Sequence, residues 1–320
     1  MNKHPQLFLA SIAILLCICF FIAINLGSIQ ITPLELFKGL FIEYNPDVAS
    51  IYQIRFPRVI VSIFIGGALA LSGMILQVVL KNPLADPGII GISQGASFMS
   101  LLITFCFPSL YFFKPLFAFI GGIVTFLIIY ALSWKTTPTR LLLVGVAINY
   151  MITAIISFMS SSFSSTASQG MGSMTFITWQ DASSVMMYIL PFMIIALFTS
   201  HACTLLSLNE RTLLSLGIPV TTYRCLLSLL AVILSSISVA IVGVMSFVGL
   251  IVPHMTRLFI KADYKYQIIT NILLGGLVLL VGDTLGRIIL SPYEISASVM
   301  MSLIGGPIFI ILLKKGIKHD

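Results

Sequence analysis

Few side chains in this chain could do chemistry, and they fall in short clusters. Asp283 and Arg287 stand four residues apart in VGDTLGR, one helical turn along the same face. Such a pair would neutralise two costly intramembrane charges; Asp283 acting alone would instead suit a proton or sodium site. SFVGLIVPHMTR, Ser246 to Arg257, interrupts an apolar run with Pro253, His254 and Arg257. An interruption of that kind survives in lipid only where protein or water satisfies its polar groups. His254 has no second His or Cys at ligand spacing, so no metal site is expected. RFPR places Arg55 and Arg58 around Pro57. Arginine in that position could snorkel to lipid phosphates or pair with carboxylates of an external partner.

Two further polar breaks are dense in special residues. KNPLADPGIIGISQGA, Lys81 to Ala96, carries Pro83 and Pro87, which forbid a continuous helix, while Asn82 and Asp86 suit turns. Gly91 and Gly95 then allow the next span to start close against its neighbours. The stretch reads as a hairpin or as an ordered element beside a pathway or gate. In SLNERTLLSLGIPVTTYR, residues 207–224, Glu210 and Arg211, after Asn209, begin a short amphipathic turn. Gly217, after Leu216, ends it, and Pro219 starts another. Such a segment would lie on headgroups or seat a soluble partner. Ser157 to Gly170 is serine-rich, and its composition fits a vestibule lining and a plain connector alike.

These clusters are held by a chain built for lipid. Of its 320 residues, 58% are hydrophobic and 8% charged, far below the roughly one quarter charged that a soluble domain carries. Apolar periods and breakers predict spans at 7–26, 58–80, 89–107, 115–133, 141–162, 185–206, 226–248, 268–290 and 297–313. A short tenth, 251–261, would be started by Pro253. The run Leu7 to Leu26 is too long for a signal h-region and has no cleavage site after it, so it reads as a first transmembrane helix. The fold class is therefore all-α, a polytopic membrane protein of about ten helices, with residues 1–320 forming one integral domain. Gly66, Ala70 and Gly73 share one helical face, and paired glycines at 121–122, 275–276 and 305–306 point to tight helix packing.

Ten spans put both termini on one side. Twelve of the seventeen Lys and Arg residues then fall on the cytoplasmic face, with Lys38, Arg55, Arg58, Lys114 and Arg287 outside. This bias makes both termini cytoplasmic. The net charge of +7 lies at helix ends and forms no basic stripe, so nucleic acid is not an expected partner. Cys17, Cys19, Cys106, Cys203 and Cys225 sit in or beside apolar segments and read as small hydrophobes.

Five segments in order resemble the FecCD/BtuC-type permeases, membrane subunits of ABC importers for ferric siderophores, haem and cobalamin. They are RFPR at 55–58, NPLADPGIIGISQGA at 82–96, NERTLLSLGIP at 209–219, SFVGLIVPHMTR at 246–257, and GDTLGR with SLIGGPIFIILL at 282–287 and 302–313. Three positions depart from that pattern: Trp179-Gln180-Asp181 where a Trp-Gly-Ser turn is usual, Gly282 in place of alanine, and Ser296-Ala297 in place of Pro-Gly.

The resemblance implies a BtuC-like permease fold. It further implies dimerisation with a second permease subunit, identical or paralogous, in a bacterial cytoplasmic membrane. Two ATPase subunits carrying ATP and Mg would bind below, and a substrate-binding lipoprotein or periplasmic protein would dock above. Asn209–Pro219 would be the ATPase-coupling segment. Arg55, Arg58 and Arg287, the arginines that break the charge bias, would dock the binding protein. The chain has no GxxxxGK[ST] and no catalytic dyad, so it is expected to be a transport subunit without cofactor and not an enzyme. The expected cargo is an iron chelate, most commonly a ferric siderophore, with haem or cobalamin as alternatives. An ion-coupled secondary transporter using Asp283 is the competing class.

Overall fold

The computed structural model describes residues 5–26, 35, 46–132, 138–162, 174–260, 263–290 and 293–316. Lys3, Lys38, Lys135, Lys261, Lys318 and the end of the serine-rich segment lie outside them. Every element described is helical: α1 (Pro5–Asn25), α2 (Pro46–Val79), α3 (Pro87–Ile90), α4 (Ile92–Cys106), α5 (Lys114–Leu132), α6 (Pro138–Ser162), α7 (Trp179–Tyr188), α8 (Leu190–Leu197), α9 (Ser200–Ser207), α10 (Glu210–Ser215), α11 (Val220–Val242), α12 (Val248–Phe259), α13 (Tyr264–Ile288) and α14 (Ala297–Gly316). Among the described residues seven helical stretches are long and apolar enough to cross a bilayer, and α4, α12 and α14 are shorter apolar helices. Together they account for the ten expected spans.

The bundle is organised around α2, α11 and α13, the most enclosed of the spans. α2 packs along α13, α11 and α12, and α1 lies against α13. Close approach comes from the small-residue face of α2. A Cβ added to Gly66 would fall 2.2 Å from the Gly275 carbonyl oxygen, and one added to Gly73 would fall 1.8 Å from that of Gly249. Backbone therefore touches backbone at both crossings, the contact that small residues permit in lipid. Gly95 makes the same kind of seam against Gly121 and Thr125.

Several expected boundaries need correction. α2 begins at Pro46, twelve residues before the predicted 58, and Pro57 lies inside it. Asp47, Gln53 and Arg55 dilute the hydropathy of its first turns, so an apolarity window starts late. The predicted span 185–206 is three helical pieces, α7 to α9, divided near Pro191 and Thr199. Pro253 does not start the tenth helix; α12 opens at Val248 after Phe247, whose φ of 70° is left-handed, and Pro253 is its sixth residue. Pro219 does not open a second short helix, because it is the N-cap of the long α11. The Trp179-Gln180-Asp181 departure is a good helix start: Asp181 Oδ2 accepts from the Thr178 amide at 2.9 Å and its hydroxyl at 2.8 Å. Trp179 Nε1 donates to the Tyr52 carbonyl at 3.0 Å, which ties α7 to α2.

Candidate functional site

The polar residues converge at two places on α2. Arg58 and Gln77 are nineteen positions apart on this helix. At 1.5 Å per residue that is about 29 Å, close to the hydrocarbon thickness of a bilayer. The two clusters therefore belong to opposite interfaces.

At the first, Arg58 is the centre. Its Nε lies 3.1 and 3.0 Å from the two carboxylate oxygens of Asp283, and Nη2 donates to Asp283 Oδ1 at 2.9 Å. Its Nη1 donates to Glu294 Oε2 at 2.8 Å. Asp283 is fully buried and Arg58 nearly so, while Glu294 keeps 35% of its side chain exposed. The expected Asp283–Arg287 pair is present but secondary, with Arg287 Nε 3.5 Å from Asp283 Oδ2. Arg287 Nη2 donates instead to the Ala23 carbonyl at 3.0 Å, and Arg55 Nη1 to the Ile24 carbonyl at 2.9 Å. Those carbonyls end α1, where no intrahelical donor reaches them and the helix dipole is negative.

The three arginines singled out in the sequence are thus brought together, along with Asp283. Yet all three are largely buried and engaged within the chain rather than displayed. Asp283, held by two nitrogens of one guanidinium and flanked by a second, is not a vacant ion-binding carboxylate. Arg55, Arg58 and Arg287 thus gather at one end of the bundle with Asp283 and Glu294.

The second cluster forms where α2 ends. Asp86 caps α3, accepting from the amides of Gly88 at 2.8 Å and Ile89 at 3.2 Å, with Pro87 at the first helical position. Gly91 closes this single turn with φ of 94°, which a side chain would strain. Asn82 Oδ1 accepts from the Leu84 amide at 2.9 Å, and the exposed Pro83 lies between them. Burial pushes the Asp86 carboxyl up to about 6, against the two amide hydrogen bonds that favour its charge.

The Asp86 carboxylate lies against α12, since a Cβ on Gly249 would be 2.7 Å from its Oδ2. Hence NPLADPG and SFVGLIVPHMTR, distant in sequence, form one junction. Pro253 explains its chemistry. Having no N–H, it leaves the carbonyl of Gly249, four residues earlier, without a helical donor. Gln77 Nε2 donates to that carbonyl at 3.2 Å, and Gln77 Oε1 accepts from Arg257 Nη2. His254 is half-buried beside this junction. Among the described residues no group of three His, Cys, Asp or Glu side chains could hold a metal.

The segment from Leu208 to Pro219 lies by the second cluster. Of Glu210 and Arg211 only the backbone is described. The Asn209 carbonyl accepts from the Leu213 amide at 3.1 Å, Leu213 is fully buried, and Leu216 is exposed. Gly217 has φ of 67°, and the Ile218 amide reaches back to the Leu213 carbonyl at 3.2 Å, a left-handed helix stop. Sequence reasoning missed Gln77 and Glu294. Gln77 is a lone amide in the apolar run MILQVVL, and that isolation was its available signal. Glu294 gave none, because its partner lies 236 positions away.

A ten-span bundle with junctions of this kind at both interfaces defines a polytopic permease, and comparison with known proteins names the class. Residues 15–315 match the FecCD transport family, to which the chain belongs. It is 36% identical over 314 residues to IsdF of Staphylococcus aureus strain Newman, described as a heme-iron transport system permease protein; the match covers 98% of this chain and 96% of that one. The protein of the same name from strain USA300 matches equally. A solved chain described as a metal-chelate type ABC transporter in an inward-facing conformation superposes with a TM-score of 0.83 at 28% identity, covering 96% of this chain and 99% of the other. PsaBC from Streptococcus pneumoniae, solved with a Fab, gives a TM-score of 0.59 at 15% identity over 88% of this chain and 95% of its own, a likeness of fold alone. The chain is a FecCD-family ABC importer permease.

Proposed function

We propose that this permease passes an iron chelate across a bacterial cytoplasmic membrane, driven by ATP hydrolysis on separate subunits. The observation that carries the reading is the 36% identity to a heme-iron permease over nearly the whole of both chains. It makes heme at least as well supported a cargo as the ferric siderophore that the sequence alone favoured. A binding protein would deliver the cargo to the face bearing Arg55, Arg58 and Arg287. Their docking role then belongs to the cluster as a unit, with Glu294 as its exposed acidic member, rather than to free guanidinium groups. The ATPases would seat on Asn209–Pro219, with both termini on that same cytoplasmic side.

The deciding experiment reconstitutes the permease with its ATPase and binding-protein partners in proteoliposomes. Uptake of hemin and of ferric siderophores is then measured with ATP alone and with a proton ionophore added. ATP-dependent hemin uptake that ignores the ionophore is expected; uptake abolished by the ionophore at constant ATP would overturn the reading. Gly217→Pro tests the coupling segment. Proline fixes φ near −65°, opposite in sign to the 67° required, and the turn carrying Leu216 cannot form. Loss of stimulated ATP hydrolysis with binding-protein docking intact is expected, and preserved stimulation would place the coupling elsewhere.

A further inference from the structure

At the end of α2 a continuous polar path leaves the proposed ATPase-coupling segment and enters α12. Lys81, the second residue after α2, has φ of 48°, one of two left-handed non-glycine residues described. That conformation turns the chain back, and Lys81 Nζ donates to the Leu208 carbonyl at 2.8 Å. Leu208 is the C-cap of α9 and stands two residues before α10. An ammonium there meets both an orphan carbonyl and the negative end of a helix.

Four residues back along α2, Gln77 makes the next link. Its own carbonyl accepts from the Asn82 amide at 3.1 Å, which closes the turn that carries Lys81. Its side chain is bound at both ends to α12, through the Gly249 carbonyl freed by Pro253 and through Arg257. The Gly73–Gly249 backbone contact beside it leaves no slack between the two helices. α12 and the end of α2 must therefore move as one body, and Lys81 is the point where that body is tied to Leu208.

We propose that Lys81 and Gln77 are positioning residues that carry movement of the coupling segment to α12, with Lys81 as the tether and Gln77 as the clamp. The proposal rests on the coupling role given above to Asn209–Pro219. It assigns no contact with cargo or ATPase to either residue. Tight packing is what makes such a link effective, since a packed junction shifts between discrete arrangements instead of deforming.

The test measures cargo transported per ATP hydrolysed by the complete importer in proteoliposomes, with Lys81→Met and Lys81→Arg compared with wild type. Methionine keeps the apolar stem and removes the donor; arginine restores a cationic donor. We expect Lys81→Met to assemble and to hydrolyse ATP at the wild-type basal rate, but to lose about threefold to tenfold in transport per ATP, the span of one solvent-exposed hydrogen bond. Lys81→Arg should recover most of it. Unchanged transport per ATP in Lys81→Met would overturn the tether, as would loss of ATPase binding, which would make Lys81 a docking residue. Gln77→Glu, which keeps the Arg257 acceptor but loses the donor to Gly249, should show the same uncoupling. A wild-type complex in which ATP drives no transport would instead refute the function proposed above, so the two failures are distinguishable.

Discussion

Neutralising Asp283 should be among the costliest single changes at the arginine end of the bundle. Asp283→Asn keeps the shape and one carbonyl oxygen, but it removes the charge that faces Arg58 through three close contacts of 2.9 to 3.1 Å. Among the described residues Arg58 would be left with Glu294 as its one carboxylate partner. Breaking a buried pair by removing one partner costs about 3–5 kcal/mol, because the surviving charge stays desolvated. Glu294→Gln removes the other carboxylate from the same guanidinium. That site is 35% exposed, so water takes over and the cost is about 0–1 kcal/mol. Thermal unfolding of the purified permease in detergent should therefore rank wild type and Glu294→Gln together, with Asp283→Asn well below. The double change Arg58→Met with Asp283→Leu should recover part of the loss, since it removes both buried charges. If Asp283→Asn melts with the wild type, or Glu294→Gln falls as far, the charge accounting is wrong. Uptake that is lost in Asp283→Asn although its unfolding is unchanged would point back to an ion-coupling carboxylate.

Two further outcomes are expected. Gly73→Ala should abolish folded protein, because its Cβ would sit 1.8 Å from the Gly249 carbonyl oxygen, whereas Gly306→Ala meets nothing within 4 Å and should be neutral or slightly stabilising; detergent-solubilised yield separates them. Asp86 titrates near 6 in the folded chain against an ordinary 3.8, so the folded state holds its proton to higher pH than the unfolded one. The Asp86 contribution is fully present below pH 4 and is lost as pH rises to about 6, by at most about 3 kcal/mol. Asp86→Asn, which keeps the capping oxygen, should flatten that pH dependence of the melting temperature.

What the sequence made legible was whatever depends on neighbours along the chain. Lipid-length apolar runs, the Gly66–Ala70–Gly73 face, the chain break at Asn82–Pro87 and the Gly217 stop are local patterns, and each is present although several run ends differ. The partner of Asp283 was misjudged for the same reason. Arg287 is one turn away and visible by spacing, while Arg58 is 225 positions away and becomes a neighbour only through the packing of α2 on α13. Pro253 was read as a starter because proline favours a first turn. In the structure Gln77 satisfies the carbonyl that the proline frees, and nothing in the local pattern of α12 announces a donor on another helix.

The carbonyls of Ala23 and Ile24 give α1 an unusual status in the molecule. Its buried residues are Ile12, Ala23 and Ile24, so two of the three lie beside the arginines that hold its end. Recognition there reads main-chain oxygens, which every residue type possesses. The tip of α1 is thus held whatever its side chains are, while its shaft is held by side-chain packing, with Leu16, Cys19 and Phe20 against the core and Phe8 stacked on Phe259. Apolar substitution should be widely permitted at its exposed positions, such as Leu7, Ile14 and Ile18, and felt at the packed ones.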